Sequence, residues 1–177
     1  MPLPLGHTAA GLAIHDVYAK GRSPLGLWKT LAFVIVLTNL PDIDVLVGLI
    51  VHGNGNFFHR GPTHSLLFAL IMAFLISNSW RCWSRIPKVN FLFCFLLILS
   101  HVVADAVLTA APVSFWWPLE LNLSTGYSGW REVIQSVLFG AFRDLGIIVV
   151  SGMIILINRL VRHKTIPLTR TRLVKNR

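Results

Sequence analysis

The chain has 177 residues, which allows one ordinary domain. It is 54% hydrophobic and only 13% charged, whereas an average soluble domain has about 25% charged residues. So few charges exclude a soluble globule, which must cover its surface with polar groups, and so many apolar residues exclude a disordered chain. The composition therefore indicates a polytopic membrane protein.

The net charge of +9 comes from basic residues that flank apolar runs. Three segments, 20–29, 81–88 and 159–177, hold 13 of the 16 lysines and arginines. The loops between the other ends of the runs hold two, Arg60 and Arg131. By the positive-inside rule this pattern predicts a prokaryotic inner membrane protein with a cytoplasmic C-terminus. It argues against nucleic acid as a partner and favours membrane lipids.

Four apolar runs approach the length of about 20 residues that a membrane span needs. In chain order they are 28–51, 62–80, 89–113 and 133–161. The preceding segment 3–19 is apolar but short, which predicts a re-entrant or interfacial helix.

The predicted fold is therefore all-α: a polytopic membrane helical bundle with about four transmembrane helices and a short N-terminal helix. We expect residues 1–161 to form this single domain. Residues 162–177 are predicted to form a basic, flexible tail in the cytoplasm. The oligomeric state is left open.

Several ionisable residues lie inside the apolar runs. On insertion scales each such residue costs about 2.5–3.5 kcal/mol, and such residues are usually functional. The chain has seven acids, and Asp42, Asp44 and Asp105 are among those inside the runs, together with His64 and His101. These five residues are the first candidates for a functional site.

His101 and Asp105 are four residues apart, so on a helix they lie on one face about one turn apart. Both could bind one metal ion, or one could bind it while the other orients the first. A His–Asp hydrogen bond that only packs two helices is the alternative.

Asp42 and Asp44 point about 200° apart on a regular helix and could not share a site there. Pro41 is expected to break the helix, and unwound backbone at membrane depth is tolerated where it lines a cavity. There both carboxylates could converge. We expect at least one of them to be a ligand, and the other to be a ligand or a helix N-cap.

His59, Arg60 and His64 surround a predicted helix start, because Pro62 suits the first helical position. The free N–H groups of a helix start favour an anion, and Arg60 could bind a phosphate in bidentate fashion. An interfacial loop with solvated histidines is the alternative.

Four short motifs carry a family resemblance: His7 with Gly11, Pro41-Asp42-Ile43-Asp44, His59-Arg60-Gly61-Pro62-Thr63-His64-Ser65, and Ser100-His101 with Asp105. Over roughly the first 110 residues, the chain resembles the YdjM-type family of predicted membrane-bound metal-dependent hydrolases. That family is distantly similar to zinc-dependent phospholipase C and its related nucleases. The resemblance implies a hydrolase that cleaves a phosphoester, with a lipid phosphoester as one candidate, through metal-activated water.

The implied ligands hold one or two divalent ions and are His7, Asp42, Asp44, His59, His64, His101 and Asp105. Carboxylates mixed with imidazoles suit Zn²⁺, which is favoured, or Mn²⁺ or Fe²⁺. Asp44 or Asp105, whichever is not committed to metal, is the expected general base, and Arg60 would hold the phosphate. The phospholipases have a further His-x3-Glu pair that this sequence lacks, and Glu132 is the acid that could substitute.

His7 poses a separate question, because the charge pattern places its segment at the cytoplasmic side, away from the other candidates. Either this segment re-enters the membrane, or His7 is not a ligand, or the charge-based topology is wrong.

Two other classes of function remain open. The same histidines and acids could form the relay of a transporter or ion-permeation protein. The chain could also be a membrane scaffold whose basic tail binds anionic lipid or a partner.

Overall fold

The computed structural model describes residues 4–19, 26–82, 88–109, 111–123 and 143–174, with side chains as far as residue 163 except that of Arg143. The six helices of this part are α1 (Pro4–Tyr18), α2 (Leu27–Thr38), α3 (Ile43–His52), α4 (Leu66–Asn78), α5 (Phe91–Leu108) and α6 (Arg143–Val174). Short 3₁₀ turns cover Leu40–Asp42, Pro62–His64 and Ser79–Arg81. The described ranges hold no strand, only one isolated bridge between Val113 and Leu123. The all-α prediction is confirmed, and Glu132 lies outside the described residues.

Among the described residues, fewer helices are long enough to cross a membrane than the four that the sequence predicted. By length and composition, α5 and the Asp144–His163 part of α6 could cross a membrane, and α2 with α3 could form a third, bent span. Of the helices described, α4 is apolar but has only 13 residues, fewer than the roughly 20 that a span requires. The predicted count of four is therefore not confirmed.

The first apolar run is broken at Pro41, as its sequence predicts. Proline has no N–H to donate and its ring clashes with the preceding turn of an α-helix. The chain forms a 3₁₀ turn there, and the axes of α2 and α3 differ by 57°. Asn39 at the end of α2 donates a hydrogen bond of 3.1 Å to Thr8 Oγ1 on α1. The bend thus places Asp42 beside His101 on α5 and Asp44 beside His59 and His64.

The direction of α1 answers the question about His7. At the start of α1, a Cβ on Gly6 would lie only 2.8 Å from Asp144 Oδ1, near the beginning of α6. At its end, Asp16 accepts a hydrogen bond of 2.8 Å from Asn158 and forms an ion pair with Arg162. Because α1 runs parallel to α6, its first turn lies beside the start of α6 and far from the basic end of the bundle.

An apolar core between α2, α4 and α5 holds the helix ends in place. Its buried members are Val34, Leu37, Ala69, Ala73, Phe93, Cys94, Leu97 and Ile98. Side-chain caps define where two of these helices begin: Ser65 Oγ accepts from the backbone N–H of Phe68 at 3.0 Å, and Asn90 caps α5 in the same way. The sequence placed Pro62 in the first turn of a helix, whereas the Ser65 cap makes Leu66 the first residue of α4.

Gly11 marks the closest approach of α1 to α2. A Cβ at this position would lie 2.2 Å from Thr38 Cγ2 and 3.0 Å from Val34 Cγ1, and both side chains are fully buried. We expect Gly11→Ala to lower the free energy of unfolding by about 1–3 kcal/mol, the usual cost of overpacking, despite the better helix propensity of alanine.

Gly152 on α6 provides the matched control, because an added Cβ there meets nothing within 4 Å. Gly152→Ala should leave the thermal midpoint in detergent unchanged or raise it. Equal midpoints for the two variants would contradict the close packing of α1 on α2.

Candidate metal centre

Seven histidine and aspartate side chains meet where α1 begins, α2 ends and α5 approaches its end. They form three overlapping groups whose potential ligand atoms lie within 4.8 Å of one another: His7, His101 and Asp105; Asp42, His64 and His101; Asp44, His59 and His64. The structure thus brings together all seven residues that the sequence singled out as metal ligands, although they come from distant parts of the chain.

Four atoms form the centre of this cluster: Nε2 of His64, Nε2 of His101, Oδ1 of Asp42 and Oδ2 of Asp105. The two imidazole nitrogens are 3.3 Å apart. Asp42 Oδ1 lies 3.4 Å from His101 Nε2 and 3.7 Å from His64 Nε2, and Asp105 Oδ2 lies 3.5 Å from His64 Nε2. Ligands about 2.0–2.1 Å from a tetrahedral zinc ion are about 3.4 Å apart. The Asp42, His64 and His101 atoms, which form one of the three groups, are therefore spaced as three ligands of a single small cation, and Asp105 Oδ2 lies beside them.

Burial makes these unpaired groups costly in the absence of a cation. His64, His101 and Asp105 are fully buried, and only Asp42, with 20% of its side chain exposed, opens towards the surface. Among the described residues, Oδ1 of Asp42 and both carboxylate oxygens of Asp105 have no hydrogen-bond partner. Buried carboxylate oxygens that accept no hydrogen bond are unfavourable, even though the Arg60 guanidinium lies 3.6 Å from Asp105 Oδ2, so the donor set fits a divalent metal ion.

Two hydrogen bonds orient the central imidazoles. His101 Nδ1 lies 2.7 Å from the backbone carbonyl of Thr38, and His64 Nδ1 lies 3.1 Å from Asp44 Oδ2. Since a carbonyl or carboxylate oxygen only accepts, each Nδ1 carries the proton and each Nε2 is left to bind a cation. Such outer partners fix the orientation and tautomer of histidine ligands.

Asp44 is engaged on both oxygens, unlike Asp42 and Asp105. Its Oδ2 accepts from Thr63 Oγ1 at 2.7 Å and from the backbone N–H of Arg60 at 3.2 Å. Its Oδ1 lies 3.3 Å from His59 Nδ1, and His59 Nε2 has no hydrogen-bond partner among the described residues. Asp44 therefore lies behind His64 and His59, and its oxygens are satisfied without a metal.

Arg60 occupies a backbone conformation that is unfavourable for a side chain. Its φ is +67°, in the left-handed region that non-glycine residues seldom adopt. Its N–H donates to Asp44, and its carbonyl accepts from the N–H of Ser114 at 3.1 Å. This geometry places the guanidinium Nε 3.6 Å from Asp105 Oδ2, so Arg60 brings a positive charge to the edge of the cluster.

His7 joins the cluster from α1. Its ring stacks on that of His101 with 3.7 Å between centroids, and its Nε2 lies 3.6 Å from Asp105 Oδ1. The arrangement in which His7 is remote from the other candidates is therefore wrong, because α1 runs parallel to α6 and its first turn lies away from the basic end of that helix.

The charge of the cluster favours a dication. With neutral imidazoles, three carboxylates and the Arg60 guanidinium leave two negative charges. Burial by itself lowers the pKa of His64, but the nearby carboxylates of Asp42 and Asp44 raise the pKa to about 9. Protons and a metal ion would therefore compete for this imidazole, as is general for histidine ligands.

Two residues that hold members of the cluster in place were not identified from the sequence. Thr63 lies within the His59–Ser65 motif and could have been proposed as a partner of Asp44. Thr38 acts through its backbone carbonyl, which no side-chain pattern indicates.

The helices and the buried His/Asp cluster together define a helical membrane protein with a candidate metal centre. The chain belongs to the YdjM family: the family model described as "YdjM inner membrane protein" matches residues 1–166. Inner membrane protein YbcI of Escherichia coli (strain K12) is a relative, 36% identical over 122 residues, which cover 67% of this chain and 68% of that protein. No solved structure matches the chain. These matches confirm the family resemblance and support a location in the inner membrane.

Proposed function

We propose that the protein is a membrane-embedded hydrolase that binds one zinc ion through Asp42, His64, His101 and Asp105 and cleaves a phosphoester. The observation that carries the proposal is the convergence of four buried ligand atoms. Nε2 of His64 lies 3.3–3.7 Å from the other three, and Asp42 Oδ1 lies 3.4 Å from His101 Nε2. When bound, such a metal supplies Lewis acidity and an activated water molecule. Mn²⁺ or Fe²⁺ remains an alternative occupant.

A single ion is the simplest occupancy. His101 belongs to two of the three candidate groups, but it can bind only one ion, through Nε2, because Nδ1 is committed to Thr38. A second ion near His7 would have to share Asp105, and we propose that His7 instead positions this carboxylate. The group around Asp44 needs no metal to satisfy its oxygens.

The remaining polar groups suggest how the reaction would be assisted. Arg60 would bind a phosphate oxygen beside the metal, since a guanidinium pairs well with phosphate. Asp44 would act as the base through His59: its Oδ1 receives Nδ1–H, which leaves His59 Nε2 to accept a proton.

The position of the cluster favours an enzyme over an ion relay. Beyond the metal centre, α1 lines an apolar cleft with Ala10, Ala13, Ile14 and Val17. These side chains therefore offer no polar group that could carry an ion onwards from the cluster. If the basic end of α6 is cytoplasmic, as the charge pattern predicts, the metal centre lies in the outer half of the membrane. A lipid phosphoester would reach such a site from the bilayer.

Hydrolysis by zinc-loaded protein in detergent tests the proposal, with bis(p-nitrophenyl) phosphate and phosphatidic acid as substrates. We expect hydrolysis of at least one, its loss on chelation and its return with Zn²⁺. His101→Ala should be inactive, because removing one of four ligands empties the site.

Two results would count against the enzyme. Metal-loaded protein that cleaves neither ester but carries ions across vesicle membranes would favour the relay. A cellular function that survives alanine at both His64 and Asp105 would favour the scaffold.

A further inference from the structure

An apolar cleft lies between α1, α5 and α6, with a volume of about 590 Å³. Among the residues that line it are Ala10 and Tyr18 on α1, Leu96 and Leu108 on α5, and Gly146 and Ile154 on α6. This volume falls within the range of about 300–1,000 Å³ that is usual for ligand pockets. The lining offers hydrocarbon contacts, so a fitting ligand is itself apolar.

The cleft is elongated along the helix axes. Leu96 and Leu108 are 12 residues apart on α5, or about 18 Å at a rise of 1.5 Å per residue. Val150 and Ile154 line the cleft, yet 55% and 42% of their surfaces are exposed. One wall of the cleft is thus open at the lipid-facing side of α6, and a linear chain could enter from there.

The cleft adjoins the metal centre. Ala10 follows His7 by three residues on α1, and Leu108 follows Asp105 by three on α5, so each lies about one helical turn from a member of the cluster. Arg60 and the proposed metal ion would each present a positive charge to a phosphate here, and the ion would offset the two net negative charges of the cluster. The apolar cleft and these two positive groups together match the two halves of a phosphate-bearing lipid.

We propose that the cleft binds one acyl chain of a phosphate-bearing lipid whose headgroup lies at the metal centre. This inference rests on the proposed function and specifies the class of its substrate. In this proposal the cleft-facing sides of α1, α5 and α6 select the substrate, whereas the metal centre and the loop that holds His59 and Arg60 supply the chemistry.

Photolabelling of the protein in phosphatidylcholine nanodiscs tests the inference, with phosphatidic acid that carries a diazirine on its acyl chain as the probe. We expect peptides that contain Ala10, Leu108 and Ser151 to carry most of the label. Ala10→Phe and Ser151→Phe, which fill the cleft from opposite sides, should each lower labelling of the other cleft peptides about tenfold.

Val149→Phe provides the matched control, because Val149 is on α6, is 51% exposed and does not line the cleft. This variant should carry the label on the same peptides and in the same amount as the wild-type protein. Even labelling of all lipid-facing parts of α6, or no effect of either filling variant in folded protein, would overturn the inference. An unlabelled cleft in the wild-type protein would do the same.

His64→Ala separates this inference from the proposed function. The variant should still place the acyl chain in the cleft, because the cleft does not include His64. Selective labelling in protein that hydrolyses no phosphoester would overturn the proposed function and leave the lipid site in place.

Discussion

Replacing His64 by alanine is expected to reduce bound zinc from about one ion per chain to near zero. The imidazole contributes one of four central ligand atoms, and its Nε2 lies 3.3–3.7 Å from the other three. The two histidines of the cluster outside these four ligands are engaged elsewhere, since His59 Nδ1 contacts Asp44 and His7 Nε2 lies beside Asp105 Oδ1. Elemental mass spectrometry of detergent-purified protein gives the metal content directly.

His52→Ala is the control for this experiment, since it removes an exposed histidine that stacks on Phe57 outside the cluster. It should retain the full metal content. Equal zinc in both variants would show that the metal binds elsewhere, and metal-free wild-type protein after reloading would contradict the proposed centre itself.

Asp44→Asn is expected to weaken zinc binding by about 10–100-fold without removing the site, the usual effect of losing an outer partner of a histidine ligand. The amide keeps the size of the side chain but no longer presents two anionic oxygens to His64, His59 and Thr63. Competition with a chromophoric chelator measures the affinity. Thr63→Val should shift the affinity in the same direction by less, because it removes one neutral donor.

Glu120→Gln makes the same chemical change at an exposed acid outside the cluster and should leave the affinity unchanged. Complete loss of metal in Asp44→Asn would make Asp44 a direct ligand. An affinity equal to that of the wild-type protein would remove Asp44 from the metal centre altogether.

The candidate site was largely predictable because charged residues are rare in this chain. Only seven acids are present, so a carboxylate within an apolar run, such as Asp105, is conspicuous. Pro41 likewise indicated the break that lets Asp42 and Asp44 approach one site. Their different surroundings were not predictable, since they depend on Thr63 and the backbone of Arg60, which are brought to Asp44 by the fold.

The span count shows where composition is insufficient. Residues 62–80 form one apolar run, but the 3₁₀ turn Pro62–His64 and the Ser65 cap shorten the helix to Leu66–Asn78. Hydropathy measures the side chains, whereas the helix begins where a backbone N–H finds a capping partner. An apolar sequence therefore overestimated the length of this helix.

By itself, the sequence determined an all-helical inner membrane protein of the YdjM family with buried histidines and acids, because hydropathy and local motifs are properties of neighbouring residues. Only the tertiary structure decided that α1 lies parallel to α6 and brings His7 to the cluster, and that Asp42 faces its centre while Asp44 lies behind it. Those outcomes depend on packing between segments far apart in the chain, where a shift of 1 Å changes which oxygen atom is left without a partner.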